Sequence, residues 1–223
     1  MINEARYDRQ KDVVPKDVLD STIVTIIGCG AIGRQVALQC TAIGCPRIKL
    51  IDFDKVEIEN LAPQGFMECD LSRLKIDAVA DLCLKINSEI SISTFEDKFS
   101  PDMFAVGVIF CCVDSIRTRR EIFESVGHKA TLFLDGRMSS EYMRVLSCFD
   151  ENSRKYYVEQ SLFPESEAFR GSCTAKSTIF CASIAAGLMI SNFAKWLREI
   201  EIEKDLRLNL LSNELIIGGI DNA

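Results

Sequence analysis

At residues 22–33 a β-branched run, TIVTII, meets the string Gly28-Cys29-Gly30-Ala31-Ile32-Gly33, and this junction constrains the fold more than any other segment of the chain. A short apolar run stopped by glycine is the pattern of a strand buried on both faces. Residues 31–42 follow with Ile32 and Val36 at helical spacing, Ile43 continues the series, and Gly44-Cys45-Pro46 breaks it before a second run, RIKLID, at 47–52. Strand, glycine turn, helix and strand in that order predict a phosphate-binding βαβ unit. In such a unit the first glycine makes the tight turn, the second lets a phosphate approach the backbone, and the third allows the helix to lie close to the strand. The helix N-terminus meanwhile favours negative charge. Asp52 ends the second strand about 20 residues on, where a carboxylate can accept hydrogens from a ribose diol. Gly28, Gly30, Ala31, Ile32, Gly33 and Asp52 are therefore the expected nucleotide contacts, and a glycine turn that serves packing alone is the competing reading. These residues do not separate NAD from ATP.

The alternation continues. Residues 71–87 place Leu74, Ala78, Leu82, Cys83 and Ile86 on one helical side, and short runs at 90–95 and 106–113 read as strands. Strands linked by helices pair in parallel, since parallel neighbours need long right-handed crossovers. After a polar helix at 115–126 and a strand at 131–135, the alternating run at 142–149 reads as a hairpin partner. A loop is expected at 150–171, a long helix at about 174–197, and strands near 206–210 and 215–217. The whole predicts an α/β fold built on a Rossmann-like open sheet, parallel in its N-terminal half and mixed in its C-terminal half, as a single domain over residues 1–223.

Composition narrows the chemistry. A net charge of −7 and a pI near 4.9 suit a phosphate-backbone binder poorly, so no nucleic-acid partner is expected. With His128 as the one histidine, a Ser-His-Asp triad could draw on that position alone, and zinc sites built on two histidines are excluded. Ten cysteines lie mostly in apolar runs, with no CxxC and no basic-hydrophobic leader. Cys29, Cys40, Cys83, Cys111, Cys112, Cys148 and Cys181 read as small buried hydrophobes in a reducing cytoplasm. The uncharged stretch 177–194 approaches membrane-spanning length, but its Ser177, Thr178, Ser183, Ser191 and Asn192 favour a buried core helix over a membrane span.

The segment DFDKVEIENL at 52–61, with Arg6-Tyr7-Asp8-Arg9-Gln10, Lys75 and Cys112-Val113-Asp114, resembles the ThiF/MoeB family of ubiquitin-like-protein-activating enzymes over most of the chain. The resemblance implies that the glycine loop, Asp52 and Asp54 hold ATP, that Asn60 and Lys75 meet the phosphates, and that Asp114 holds Mg2+. It implies a homodimer in which Arg9 reaches the partner subunit's site. The substrate would be the C-terminal glycine carboxylate of a small ubiquitin-like or sulfur-carrier protein ending in Gly-Gly. Such chemistry suits a histidine-poor chain, because the attacking carboxylate is already ionised and what it needs is stabilisation of phosphate charge. The competing reading of Lys75 is a solvated helix face, and that of Asp114 a helix N-cap.

The chain departs from the pattern it resembles in two places. Where the family's asparagine is followed by Leu-x-Arg-Gln, this chain reads Asn60-Leu61-Ala62-Pro63-Gln64, so proline replaces a phosphate-binding arginine. Arg73, Arg117, Arg119 or Arg120 could supply that charge. The paired CxxC motifs of some members are absent too. Cys173, in the polar segment Gly171-Ser172-Cys173-Thr174-Ala175-Lys176-Ser177 ahead of a helix, stands where family members carry an acyl-accepting cysteine, and the helix N-terminus with Lys176 would favour its thiolate. Asp135-Gly136-Arg137-Met138 resembles the stretch lining the family's substrate-tail channel, with a tight turn as the alternative. Outside protein-carrier activation, the sequence also admits ThiF-type activation of a small molecule or RNA, a non-catalytic nucleotide-binding subunit, and an NAD-dependent oxidoreductase. The last would leave Asn60, Lys75 and Asp114 without a task.

Overall fold

The computed structural model of the chain describes residues 2–100, 106–163 and 177–218. Its centre is an eight-stranded sheet in the order β3-β2-β1-β4-β5-β6-β7-β8. The strands are β1 (Val24–Ile27), β2 (Arg47–Ile51), β3 (Ser91–Phe95), β4 (Val108–Cys111), β5 (Leu132–Ser139), β6 (Tyr142–Cys148), β7 (Asp205–Asn209) and β8 (Glu214–Ile217). The five strands from β3 to β5 pair in parallel, and β5 to β8 form an antiparallel meander. The mixed sheet expected from the change in patterning is thus present, with the change at β5.

Alternating strand residues feed two cores. Val24 and Ile26 of β1, with Val108 and Phe110 of β4, join one buried cluster; Ile27, Ile109 and Cys111 join the other. The first core is covered by α3 (Ala31–Ile43), α5 (Lys75–Ile86) and α8 (Ile179–Leu197), which follow the short helices α1 (Ile2–Tyr7) and α2 (Lys16–Ser21) and, in the case of α5 and α8, α4 (Ile58–Gln64). The second lies under α6 (Ile116–Ile122), the π-helical turn Phe123–Gly127 and α7 (Glu151–Ser161), where Phe123, Phe133 and Tyr157 meet ring to ring. α8 is apolar and long enough to cross a membrane, yet it packs as a core helix: Cys181, Ala185, Ala186, Met189 and Phe193 are buried, and Phe193 meets Phe110 edge-on at 5.8 Å.

Several elements differ from the sequence reading, and α7, α8 and α5 show why. Residues 150–171 were expected to form a loop, but 151–161 are helical because Asp150 accepts the Ser153 N–H at 2.7 Å as an N-cap and Tyr157 is buried. α8 begins at Ile179 rather than 174, where the Thr178 hydroxyl accepts the Cys181 N–H. α5 begins at Lys75 rather than 71, since Leu74 is extended and bridges to Lys55.

The antiparallel extension is clamped by Asp205, whose buried carboxylate accepts from Arg144 Nε (2.9 Å) and Nη2 (2.8 Å), Arg207 Nη2 (2.7 Å) and Tyr156 Oη (2.8 Å). Burial alone would raise its pKa; the two guanidiniums and the phenol outweigh burial and hold it below the usual carboxylate range. A carboxyl depressed in the folded state contributes stability above its unfolded value of about 3.9 and loses that contribution as pH falls through the folded value. Asp205→Asn should therefore lower stability by about 3 kcal/mol at neutral pH and flatten the fall in melting temperature below about pH 4, as read by circular dichroism across a pH series.

Candidate active site

The site forms where the order of the sheet reverses. From β1 the chain moves outward to β2 and β3, then returns to β4 on β1's other side, so a crevice opens beyond the carboxyl ends of β1 and β4. The glycine turn lies there. Gly28 has φ +90°, and a Cβ on it would stand 2.8 Å from the Cys112 carbonyl oxygen beyond β4. A Cβ on Gly33 would fall 1.8 Å from the Gly28 oxygen. Packing alone explains those two glycines. Gly30 is different, because a Cβ there would meet nothing nearer than Gln64 Oε1 at 3.7 Å. A Cβ would fit there in ordinary contact with Gln64, so among the described residues no steric reason demands glycine, and close approach by a phosphate supplies one. The first intrahelical bond of α3 runs from Arg34 N–H to Gly30 O (3.0 Å), so the N–H groups of Ala31, Ile32 and Gly33 precede it and are the free donors of the helix end.

Asp52, 9% exposed, accepts the Cys29 N–H at 2.5 Å through Oδ2 and the Asp54 N–H at 2.8 Å through Oδ1. The acid expected to face a ribose thus also fixes the glycine turn, and each oxygen keeps further lone pairs for a ligand. Burial raises its pKa, which the two N–H donors and Lys75 oppose. The Cys29 thiol beside it is pushed well above its ordinary value by burial and by Asp52, so Cys29 is no nucleophile.

Lys75 is 6% exposed and donates from Nζ to Asp54 Oδ2 at 2.8 Å, while its N–H bonds the Asp54 carbonyl at 2.9 Å. It is not a solvated helix-face lysine. Asn60, in α4, accepts the Glu57 N–H at 3.1 Å through Oδ1. Gln64 closes the same helix, and its buried Oε1, beside Gly30, has no partner among the described residues. Sequence reasoning passed over Gln64, although it matches the glutamine of the family's Leu-x-Arg-Gln, next to the position where Pro63 departs from it. A half-turn of its amide presents two N–H donors to an anion at the glycine turn.

Asp114 follows β4 and is exposed; the cap of α6 is made by Ser115, whose Oγ accepts the Thr118 N–H at 3.2 Å, so capping does not account for Asp114. No three His, Cys, Asp or Glu side chains converge among the described residues, so a metal at Asp114 would have to take most of its ligands from phosphate and water. Magnesium binds in that way, through one or two carboxylates plus substrate phosphates, and the donor set fits it. Arg9 is not brought to this chain's own crevice. Its neighbours Tyr7 and Gln10 are bonded to Asn87 (3.0 Å) and to the Ile43 carbonyl (2.8 Å), at the opposite end of β2.

Residues 135–138 belong to β5 and form no tight turn. The fully buried Asp135 pairs with Arg119 and Arg137 and accepts the Tyr157 hydroxyl at 2.7 Å, which anchors α6 and α7 to the sheet. Cys173 lies outside the described residues. Among those described, Cys69 is the exposed cysteine and Cys112 is partly covered, while the other seven are buried.

A model of the ThiF family matches residues 7–217. The chain is 23% identical over 229 residues to the molybdopterin-synthase adenylyltransferase of Haemophilus influenzae, covering 97% of this chain and 90% of that protein. Among solved structures it resembles PaaA, with a TM-score of 0.76 at 20% identity over 98% of this chain and 83% of the other. It also resembles E. coli MccB solved with ATP, with a TM-score of 0.75 at 18% identity over 98% and 72%.

The two kinds of glycine separate by mutation. Gly33→Ala forces a backbone shift and should cost about 3 kcal/mol or more. Gly30→Ala should change stability by no more than about 1 kcal/mol, yet weaken the rise in melting temperature produced by nucleotide, because its methyl enters the open approach. Thermal unfolding with and without nucleotide reads both.

Proposed function

The chain belongs to the ThiF family, and from that premise we propose that it uses ATP to adenylate the C-terminal glycine carboxylate of a small ubiquitin-like or sulfur-carrier protein. The observation that carries this reading is the buried Lys75 ammonium, held at Asp54 two residues from the ribose acid Asp52 and across from the glycine turn. A cation placed there has no task in hydride transfer and suits a triphosphate.

The carrier's carboxylate, ionised at neutral pH, attacks the α-phosphorus; the bond from that phosphorus to the oxygen bridging the β-phosphate breaks, and pyrophosphate leaves with the electron pair. No proton is abstracted, so no general base is needed. Asp52 orients the ribose, the Gly30 turn and the first N–H groups of α3 receive phosphate oxygens, and Lys75 exchanges part of its attraction to Asp54 for the growing negative charge. Asp114 would hold magnesium, which supplies charge neutralisation to the leaving pyrophosphate. The protein acts as one adenylation domain in a cytoplasmic homodimer, Arg9 serving the partner subunit's site, and Cys173 then takes the acyl group, releasing AMP.

Incubated with ATP, magnesium and a carrier ending in Gly-Gly, the protein should exchange label between pyrophosphate and ATP only when the carrier is present. Lys75→Ala and Asp114→Ala should each slow that exchange by about tenfold or more, or about 1.4 kcal/mol; an unchanged rate removes the residue from the reaction. Exchange driven by a short peptide or a small acid instead would transfer the reading to that substrate. Nucleotide binding with no exchange would make the chain a binding subunit, and stabilisation by NAD equal to that by ATP would overturn the ATP assignment.

Cys173→Ala should abolish a thiol-sensitive carrier adduct seen by mass spectrometry while leaving exchange intact, because adenylation precedes the thiol step. An adduct that persists in this variant excludes Cys173 as the acceptor.

A further inference from the structure

Pro63 leaves the phosphate site one cation short of the family pattern, and the arginines that the sequence offers in its place are engaged elsewhere. Arg73 binds Asp70 and Asp81, Arg117 binds Glu121 at 3.0 Å, Arg119 pairs with Asp135, and Arg120 donates to the Leu162 carbonyl.

Arg34 is free of such ties. It stands in the first turn of α3, is 7% exposed, and its guanidinium has no hydrogen-bond or ion-pair partner among the described residues; its one ring contact is Phe66, 5.4 Å from the guanidinium carbon. Nearby Asp70 is already taken, Oδ1 by Arg73 and Oδ2 by the Met67 N–H. The residue is nearly buried, yet its guanidinium nitrogens keep some solvent contact, so five donors open toward a place that an anion can take. The position suits one. Arg34 Nη1 would lie 3.1 Å from a Cβ on Gly65, two residues after Pro63 and next to Gln64, whose unpartnered Oε1 faces Gly30. Gly30, Gln64 and Arg34 therefore border the same side of the glycine turn, where α4 ends.

We propose that Arg34 is the second phosphate-binding cation of this site, supplied from α3 in place of the arginine that Pro63 displaces from α4, with the Gln64 amide as a neighbouring donor. The anion it meets is the β- or γ-phosphate of the nucleotide, the part that leaves as pyrophosphate. This rests on the ATP reading above.

Isothermal titration of ATP with magnesium, and of AMP, separates the role from a packing one, because AMP lacks the phosphates concerned. Arg34→Met should lose about tenfold or more in ATP affinity and less than about twofold in AMP affinity. Adding Pro63→Arg to Arg34→Met should recover most of the lost ATP affinity by returning a cation from α4. Should Arg34→Met fail to melt cooperatively, Arg34→Gln carries the same comparison. An unchanged ATP-to-AMP ratio, equal loss of both ligands, or no recovery in the double variant overturns the Arg34 role while ATP binding by the wild type stands. A wild type that binds neither nucleotide overturns the function proposed above and this inference with it.

Discussion

The crowded contact between the glycine turn and β4 is what the rest of the site depends on. Gly28 lies against the Cys112 carbonyl and Gly33 against the Gly28 carbonyl, with no room for a methyl group at either. That closeness lets α3 start directly over the crevice between β1 and β4, so its unpaired N–H groups open where the strand order reverses. Asp52 completes the geometry from the next strand by accepting the Cys29 N–H, which joins the acid and the turn into one unit. A carboxylate held by two backbone N–H groups at the crevice is already ordered before any ligand arrives.

Two buried aspartates each gather a cluster of paired charge. Asp135 gathers Arg119, Arg137 and Tyr157 on one side of the sheet, and Asp205 gathers Arg144, Arg207 and Tyr156 at its antiparallel extension. Pairs of this kind cost desolvation and repay it only with full hydrogen bonding, so they fix which elements meet more than they add net stability. The site uses the same economy differently. Lys75 is paired with a half-exposed aspartate that can share it, and nearly buried Arg34 has no acid paired to it among the described residues. Unequal pairing separates the cations beside the crevice from those that hold helices to the sheet.

Much of the fold was legible because it is local. A β-branched run stopped by glycine, a helical period and a second run ending in acid each depend on residues within a few positions of one another, and β1, α3, β2 and the Asp52 carboxylate stand where those patterns place them. Helix α7 was not legible: its residues are too polar to show a helical stripe, and its helicity comes from the Asp150 cap and the burial of Tyr157 against Phe123 and Phe133. Nor was the character of residues 135–138, where a strand ending in glycine and arginine reads like a turn until its antiparallel partner is known.

By itself the sequence determined the class of fold and the glycine turn with its acid, which rest on periodicity and on spacings within single segments, and it carried the resemblance at 6–10, 52–61, 75 and 112–114 that marks the family. Only the tertiary structure decided which charges are free. Arg73, Arg119 and Arg34 look alike as letters, and their surroundings differ because Asp81 and Asp135 come to the first two from elsewhere in the chain while no described acid pairs with the third. It decided likewise that of the three glycines Gly30 alone leaves room for a Cβ among the described residues, and that Arg9 lies at the far end of β2 from the crevice. Pairings between distant segments are set by the way helices dock on a sheet, and no local pattern of residues records them.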